Sequence, residues 1–493
     1  MQTKFDVMIV GAGAAGLYAA LNTDETVSVL ILSKQEIEVC NSALAQGGIA
    51  AVFGASGASS ALDDSFDLHY RDSLRAGGFK NNPETLRKLV TEAPTDIERV
   101  LYFGVDFDRD ASGDFHRTLE GGHSRRRIFH YKDASGAELT SRLAEKVKTK
   151  PNVTIVENAS VCDIKKTDTG FSAFVIKNGE KLFFDCAYMV MASGGIGRVY
   201  EKTTNARTAT GDGIYLAEKM GAKIKNLSLI QFHPTAYPDP DTGQCFLISE
   251  SVRGEGAYLI NKNGRRFMED YDPERLELAP RDVVSHAIIT EGKKLASDEF
   301  YLDITHKPKD FITEHFPNIY RFLMSKGIDM STDKIPVYPC HHYLMGGINV
   351  DINAKTSVDR LYACGECAHT GVHGNNRLAS NSLLEALVFG RMAAEDISRR
   401  IKTDNPDTAH LQSFPFHFDD NAPEVPSGIR RKIRSIMQKA FFVVPDMAAA
   451  AEGFEAISAL REDLENGGYR PDTHCTEAKS LAACAYIILK EIL

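Results

Sequence analysis

Phe5-Asp6-Val7-Met8-Ile9-Val10-Gly11-Ala12-Gly13-Ala14-Ala15-Gly16-Leu17-Tyr18-Ala19-Ala20-Leu21 is the stretch that decides the fold. Phe5 to Val10 is a short apolar run with β-branched residues, which reads as a buried strand. Glycines follow at once, and Leu17 to Leu21 begins a helical segment. Val27-Ser28-Val29-Leu30-Ile31-Leu32 reads as a second strand. Strand, glycine turn, helix, strand is the order of a βαβ dinucleotide-binding unit. Gly11 permits the tight turn, Gly13 lets a pyrophosphate approach the backbone, and Gly16 lets the helix pack on the strand. Ala12, Ala14 and Ala15 complete the turn. The helix N-terminus beyond offers free N–H groups and a partial positive charge to phosphate. The acidic residue that holds the adenosine ribose at the end of the second strand is missing. Ser33 and Lys34 stand there instead, so the ribose falls to the Ser33 hydroxyl or to backbone groups.

Outward from this unit the chain changes style several times. Residues 50 to 150 read as mainly helical, with a charged stretch at Arg125-Arg126-Arg127. Alternation from Val153 to Val190 predicts a small antiparallel sheet, and Tyr188 to Ala192 reads as another buried strand ending in Ser193-Gly194-Gly195. A mixed, Pro-, Asp- and Arg-rich stretch follows, until Leu361-Tyr362-Ala363-Cys364 resumes the buried-strand pattern. The organisation expected is a discontinuous nucleotide-binding domain (1–231 and 346–412), a second domain inserted at 232–345, and C-terminal helices over 425–493. Lys402 to Ser427, with four prolines, reads as a linker. Ile429, Ile433, Ile436 and Ala440 recur at helical spacing. Met447 to Leu464 and Thr476 to Leu493 are also helical in pattern, with Asp446 and Thr476 as N-caps.

Composition bounds the function. The chain has 493 residues, enough for roughly three domains. Its net charge of −10 argues against non-specific binding to nucleic acid or acidic lipid. Nine scattered cysteines do not read as a disulfide framework. No signal peptide precedes the first strand, and the apolar runs are too short and Gly-rich for a bilayer. The expectation is a cytoplasmic protein with no membrane partner.

Further motifs stand in one order along the chain. They are Asn41-Ser42-Ala43-Leu44-Ala45-Gln46-Gly47-Gly48, Gly211-Asp212-Gly213, Gln231-Phe232-His233-Pro234-Thr235, Glu250 with Arg253-Gly254-Glu255-Gly256, Pro280-Arg281-Asp282, Cys364-Gly365-Glu366, and Gly374 through Leu383. Together they resemble the flavoprotein superfamily of succinate dehydrogenase and fumarate reductase, over nearly the whole chain. The resemblance implies an α/β Rossmann-like FAD-binding domain, an inserted α+β capping domain and a C-terminal helical bundle. It assigns FAD contacts to residues 41–48 and to Val161, Ser193, Gly194, Asp212, Glu366, Ser382 and Leu383. Glu366 is expected on a ribityl hydroxyl. The amides of Ser382 and Leu383, opening a helix, are expected on the electron-rich edge of the flavin.

Within the superfamily, three features resemble the branch that oxidises L-aspartate. Membrane-bound relatives carry a His where this chain has Asn41, and that His bonds FAD covalently; Asn41 implies non-covalent FAD. Leu119-Glu120-Gly121-Gly122-His123-Ser124-Arg125-Arg126-Arg127 resembles the signature of that branch, with Glu120 facing the substrate amine. The second strand also ends in Leu32-Ser33-Lys34, as in that branch. Two departures stand beside these features: Ser249 where relatives commonly carry Thr, and a chain that stops at Leu493 where many relatives continue.

The implied substrate is a four-carbon dicarboxylate with one ammonium group. Arg377, with His342 beside it, would hold one carboxylate, and His233 with Ser249 the other. Each charge-assisted bond is worth about 1.5–3 kcal/mol. By the same resemblance Arg281 is the proton-transfer residue opposite the flavin, and Arg253 supports it. An Arg is a poor base, with a pKa above about 12, so Glu120 is expected to align and deprotonate the ammonium. The product would be iminoaspartate, with O2 or fumarate as final acceptor. This is the first step towards quinolinate and NAD, and an unstable imine makes handover to quinolinate synthase attractive.

A soluble fumarate reductase is the nearest rival reading, and a flavin-bearing sensor without a dicarboxylate site is the rival from another class. Cys364-x-x-Cys367 lacks a second pair at zinc spacing. His369 and His373 sit among glycines, so no metal is expected. Arg430-Arg431-Lys432-Arg434 reads as a solvated helix face, or one that meets the capping domain.

Overall fold

Lys4–Val10 lies at the centre of a mixed sheet in a computed structural model that describes residues 2–53 and 64–493. It pairs in parallel with Val29–Leu32 on one side and with the end of Glu180–Met191 on the other. Val153–Val156 extends the parallel order beyond Val29–Leu32, and Leu361–Ala363 extends it beyond Glu180–Met191. The expected antiparallel strands, Phe171–Lys177 and Ala159–Lys166, grow from the first half of Glu180–Met191. Val153–Val156 is therefore not part of them: it lies at the sheet edge beside the second strand and runs parallel to it, with only Val156 buried. Alternate residues of the central strands feed two cores. Phe5, Met8, Val10 and Leu30 join one; Val7, Ile9, Val29 and Ile31 join the other. Strands buried on both faces read as near-continuous apolar runs, which is why the first two were legible.

Helix Ala14–Asn22 packs on the long helix Asn381–Asp404 and on Ser135–Lys148. Residues 50 to 150 hold helices Phe66–Ala76, Pro83–Tyr102 and Ser135–Lys148 as expected. They also contribute Arg117–Thr118 and Ile128–Phe129, which form a small antiparallel sheet with Ile49–Ala50. Two-residue strands carry no readable periodicity. The part of the helical reading that falls on residues 54–63 lies outside the described residues. The third core, from Tyr237 to Val337, belongs to the mixed stretch. The strand Ile230–Pro238 runs through the junction expected at 231/232.

Helix Asn381–Asp404 overruns the start of the expected linker by one turn. The last three helices are Ile429–Ala440, Met447–Asn466 and Thr473–Ile492. Asp446 caps the second of them, accepting from the amides of Ala448 and Ala449, both at 3.1 Å. The expected cap Thr476 is displaced: Asp472 caps the last helix through Cys475 N at 2.7 Å. Thr476 lies inside the first turn and bonds back to Asp472 O. A carboxylate is the better acceptor for first-turn amides, and it lies one turn earlier.

Asp133 joins the nucleotide-binding part to the third core. Its carboxylate accepts from the amides of Asn318 and Ile319 at 2.9 and 3.0 Å, and from Asn318 Nδ2 at 2.6 Å. It thus caps helix Pro317–Ser325 from a distant part of the chain. Asp133→Ala should lower the unfolding free energy by about 1–2 kcal/mol. The measurement is the urea midpoint, and an unchanged midpoint would show the cap to be idle.

Candidate active site

One cavity of about 440 Å³ runs from the glycine turn to Arg281. Its phosphate end is shaped by backbone approach. Gly11 has φ +115°, and a Cβ there would lie 2.2 Å from Ala192 O. A Cβ at Gly16 would lie 2.0 Å from Gly11 O. Ala14 N donates to Ser42 Oγ at 3.2 Å. Gly11 to Ala15, Ser33, Lys34, Asn41, Ser42, Leu44 to Gly48, Val161, Ser193, Gly194, Asp212, Glu366, Ser382 and Leu383 all line the cavity. Gly16 does not, because its place is the helix–strand contact. Ala43 does not either, and its amide bonds the Cys40 thiol. Lys34 pairs with Asp212 at 2.8 Å and Glu477 at 2.6 Å, tying the second strand to the last helix.

The residues present fit FAD. Two helix N-termini open on the cavity, that of Ala14–Asn22 and that of Asn381–Asp404, and neither N-cap residue, Gly13 or Ser380, caps its own helix through a side chain. Such ends favour the pyrophosphate and the electron-rich flavin edge respectively. Asn41 Oδ1 accepts from Ala206 N at 2.8 Å, and a carboxamide offers no ring nitrogen for a covalent bond to flavin. Burial pushes the Glu366 carboxyl up to about 7, against the opposing bonds from Leu344 N and Asn41.

The other end of the cavity holds two arginines, Arg281 and Arg377. Arg281 opens helix Arg281–Leu295 after Pro280, and its Nε donates to Glu250 Oε2 at 2.7 Å. Arg377 Nη1 donates to Ser382 Oγ at 2.7 Å, and its guanidinium lies 4.4 Å from the Tyr343 ring centroid. The buried Arg377 Nε has no partner among the described residues. Burial, reinforced by repulsion from Arg281, pulls Arg377 down to about 10. Two like charges in one cavity, one with an idle donor, are a receptor for an anion.

The rings of His233 and His342 stand 5.1 Å apart at 61°. Burial first, then the charge on Arg281, holds both well below the ordinary imidazole range. Both are neutral and each offers one N–H. The Ser249 oxygen accepts from Ser251 N at 3.3 Å and from Ser251 Oγ at 2.9 Å, which leaves its own proton to donate. Glu120 is 6% exposed and accepts from Ser380 Oγ. Burial pushes its carboxyl up, and Glu250 adds to this against the Ser380 bond and the two arginines. Arg253 does not line the cavity. It is buried behind Glu250, 3.7 Å from Oε2. Burial alone would raise Glu250, but Arg281 and Arg253 hold it below the usual carboxylate range.

The motif around Gln231 does not announce a role for its side chain. Its Oε1 accepts from Arg281 Nη1 at 2.9 Å, and its Nε2 donates to Arg377 O at 2.8 Å, so one amide joins both clamps. The available signal was its i, i+2 relation to His233, which places both on one face of a strand. Cys367 Sγ bonds Met191 O, His369 bonds Met345 O, and His373 bonds Glu385. Arg430 pairs with Glu477 of the last helix, and Arg434 Nε donates to Arg198 O at 2.9 Å, so part of the basic face is engaged by the protein itself. Among the described residues no group of three His, Cys, Asp or Glu is placed to hold a metal. Nor is any described helix long and apolar enough to cross a membrane.

A family of FAD binding domains matches residues 6–383. The structure is similar to E. coli quinol fumarate reductase, with TM-score 0.87 and 28% identity over 99% of this chain and 89% of that one. It is also similar to Sdh1 of Mycobacterium smegmatis, with TM-score 0.80 and 28% identity over 99% and 86%. Fold and cavity thus define a flavoprotein of the succinate dehydrogenase and fumarate reductase class, with FAD as its cofactor. The chain is 45% identical to an L-aspartate oxidase of Clostridium acetobutylicum, over 81% of this chain and 89% of that protein. It is 38% identical to one of Yersinia pestis, over 98% and 92%. It belongs to the L-aspartate oxidase family.

His341, next to His342 but turned into the core, is buried with neither ring nitrogen partnered among the described residues. Burial pulls it down to about 3. A lowered folded pKa gives stability that is present above the unfolded value of about 6.5 and lost as pH falls. His341→Phe should therefore reduce the slope of stability against pH below 6.5 by about 1.4 kcal/mol per unit. Denaturant titrations at several pH values measure it, and an unchanged slope would contradict the burial argument.

Proposed function

We propose that this chain oxidises L-aspartate to iminoaspartate, with FAD held non-covalently. FAD, when bound, would supply the hydride acceptor, with O2 (giving hydrogen peroxide) or fumarate (giving succinate) as the final electron acceptor. The observation that carries the reading is a buried carboxylate, Glu120, in the same cavity as two guanidiniums and two neutral imidazoles. An unsubstituted diacid has no use for that carboxylate, whereas an amino diacid needs it.

Arg377 and His342 hold one substrate carboxylate, and His233 and Ser249 the other. Arg281 faces the reacting carbons, kept in place by Glu250 and Gln231. Glu120 receives the ammonium, and burial, which raises its proton affinity, suits it to take a proton from nitrogen as the α-hydrogen leaves. The capping segment reaches over the cavity, its Leu247 carbonyl accepting from Gln46 Nε2 at 2.7 Å. The fumarate reductase reading would use the same clamp in reverse with Glu120 idle. The imine hydrolyses in water, which favours direct transfer to quinolinate synthase in the cytoplasm, where NAD biosynthesis would continue.

Anaerobic L-aspartate should bleach the bound flavin. Glu120→Gln leaves the ammonium unpaired in a buried site. The expected loss is about 3–5 kcal/mol, or roughly two to four orders of magnitude in kcat/KM for aspartate. Fumarate reduction by the same variant should stay near the parent rate. Equal losses on both substrates, or none on aspartate, would refute the assignment. Acid precipitation should release all the yellow colour to the supernatant, and colour left in the pellet would mean a covalent bond.

A further inference from the structure

A buried polar network stands behind Glu120, outside the groups that would touch substrate. Arg127 is fully buried at its centre. Its Nε and Nη2 donate to the two oxygens of Asp64 at 3.0 and 2.8 Å, and its Nη1 donates to Asp72 Oδ2 at 2.6 Å. The same Nη1 lies 3.0 Å from His123 Nδ1. A guanidinium only donates, so Nδ1 accepts and the imidazole proton sits on Nε2. His123 Nε2 therefore donates to Ala379 O, 2.9 Å away. Burial pulls His123 down to about 4, against the Ala379 bond, so the ring is neutral and keeps this tautomer.

The network closes on the site. His123 N donates to Glu120 O at 3.2 Å, closing the turn that carries Glu120. Ser380, the neighbour of Ala379, has φ +61°, a left-handed conformation that strains any residue with a side chain. Its peptide is held on each side. Ala50 N donates to Ser380 O at 3.0 Å, and Asn381 is fixed between His69 Nε2 and Ser73 Oγ, both at 2.9 Å. Gly48 N donates to Ser380 Oγ at 3.3 Å, and the one hydroxyl proton goes to Glu120 Oε2. Glu120 Oε1 faces Gly47, where a Cβ would come within 2.8 Å of it.

We propose that His123 is a positioning residue for amine recognition: through the Ala379 carbonyl it holds Ser380 in the strained conformation that aims its hydroxyl at Glu120. The proposal rests on the reading of Glu120 as the partner of the substrate amine. Without the His123 bond a buried carbonyl loses its donor, and the peptide turns to find another. Ser380 Oγ turns with it. The Ser380 bond favours the ionised carboxylate against burial. Glu250, Arg281 and Arg377 also act on Glu120, and His69, Arg127, Asp72 and Glu250 face His123. A His123 substitution leaves all of these charges in place, so a change in Glu120 titration reports the Ser380 bond.

His123→Phe keeps a ring in the site and removes both of its side-chain bonds, whereas His123→Gln restores an N–H near the place of Nε2. The two holoenzymes are compared with the parent and with Glu120→Gln. In His123→Phe, kcat/KM for aspartate should fall about tenfold to a hundredfold, the cost of a small misplacement in a positioned group. The acid limb of its pH profile should move to higher pH, because a carboxylate without that bond keeps its proton longer. Succinate, which has no amine, should perturb the flavin spectrum with the parent Kd, and fumarate reduction should change by less than about threefold. His123→Gln should recover most of the aspartate rate. If His123→Phe does not fold, Ser380→Ala carries the same prediction for the acid limb. Equal losses on aspartate and fumarate, weakened succinate binding, an unmoved acid limb, or a Gln variant no better than Phe would each overturn the positioning role. A selective aspartate loss in Glu120→Gln beside an unaffected His123→Phe overturns this role alone, whereas a Glu120→Gln enzyme that spares aspartate overturns the oxidase reading and this role with it.

Discussion

Two guanidiniums share one buried cavity, and the rest of the site answers that charge. Arg281 is satisfied on one flank by Glu250 and Gln231, and Arg377 by Ser382 and the face of Tyr343. Glu250 pairs the Arg281 charge, whereas Arg377 has only a hydroxyl and a ring face beside it. Burying unpaired charge is costly unless an opposite charge arrives. Burial, with that field adding to it, keeps His233 and His342 neutral, so they serve as hydrogen-bond donors without adding further repulsion. Arg377, with an idle buried Nε, is thus the cation left for an arriving carboxylate.

Glu120 adds the discriminating element. Near two arginines an ionised carboxylate ought to be comfortable, yet burial outweighs them and raises its proton affinity. Glu250, a few residues from Arg253 and bonded to Arg281, moves in the opposite direction. Two buried carboxylates of one cavity are separated in proton affinity by their partners, and such separation divides acid–base roles between like groups.

Much of this was legible from residues alone. The first two strands announced themselves because both faces are buried. The glycine turn did so because its spacing has a steric cause, visible in Gly11 and Gly16. Arg281, Arg377, His233, His342 and Glu120 were named from motifs, and one cavity gathers them. Other features left no pattern to read. The strands Arg117–Thr118 and Ile128–Phe129 are too short for periodicity, and Val153–Val156 owes its direction to a neighbour far along the chain. The last helix starts at Thr473 because Asp472 outcompetes a threonine for the cap. Gln231 joins the two clamps through contacts made only on folding.

Asp133 grips main-chain amides of helix Pro317–Ser325, with only one bond to a side chain. A carboxylate that reads peptide groups is largely blind to what those residues display outward. The outer face of that helix can therefore be rewritten without loosening the seam between the two parts of the molecule. New surface chemistry could be grafted there while the reactive chamber keeps its enclosure.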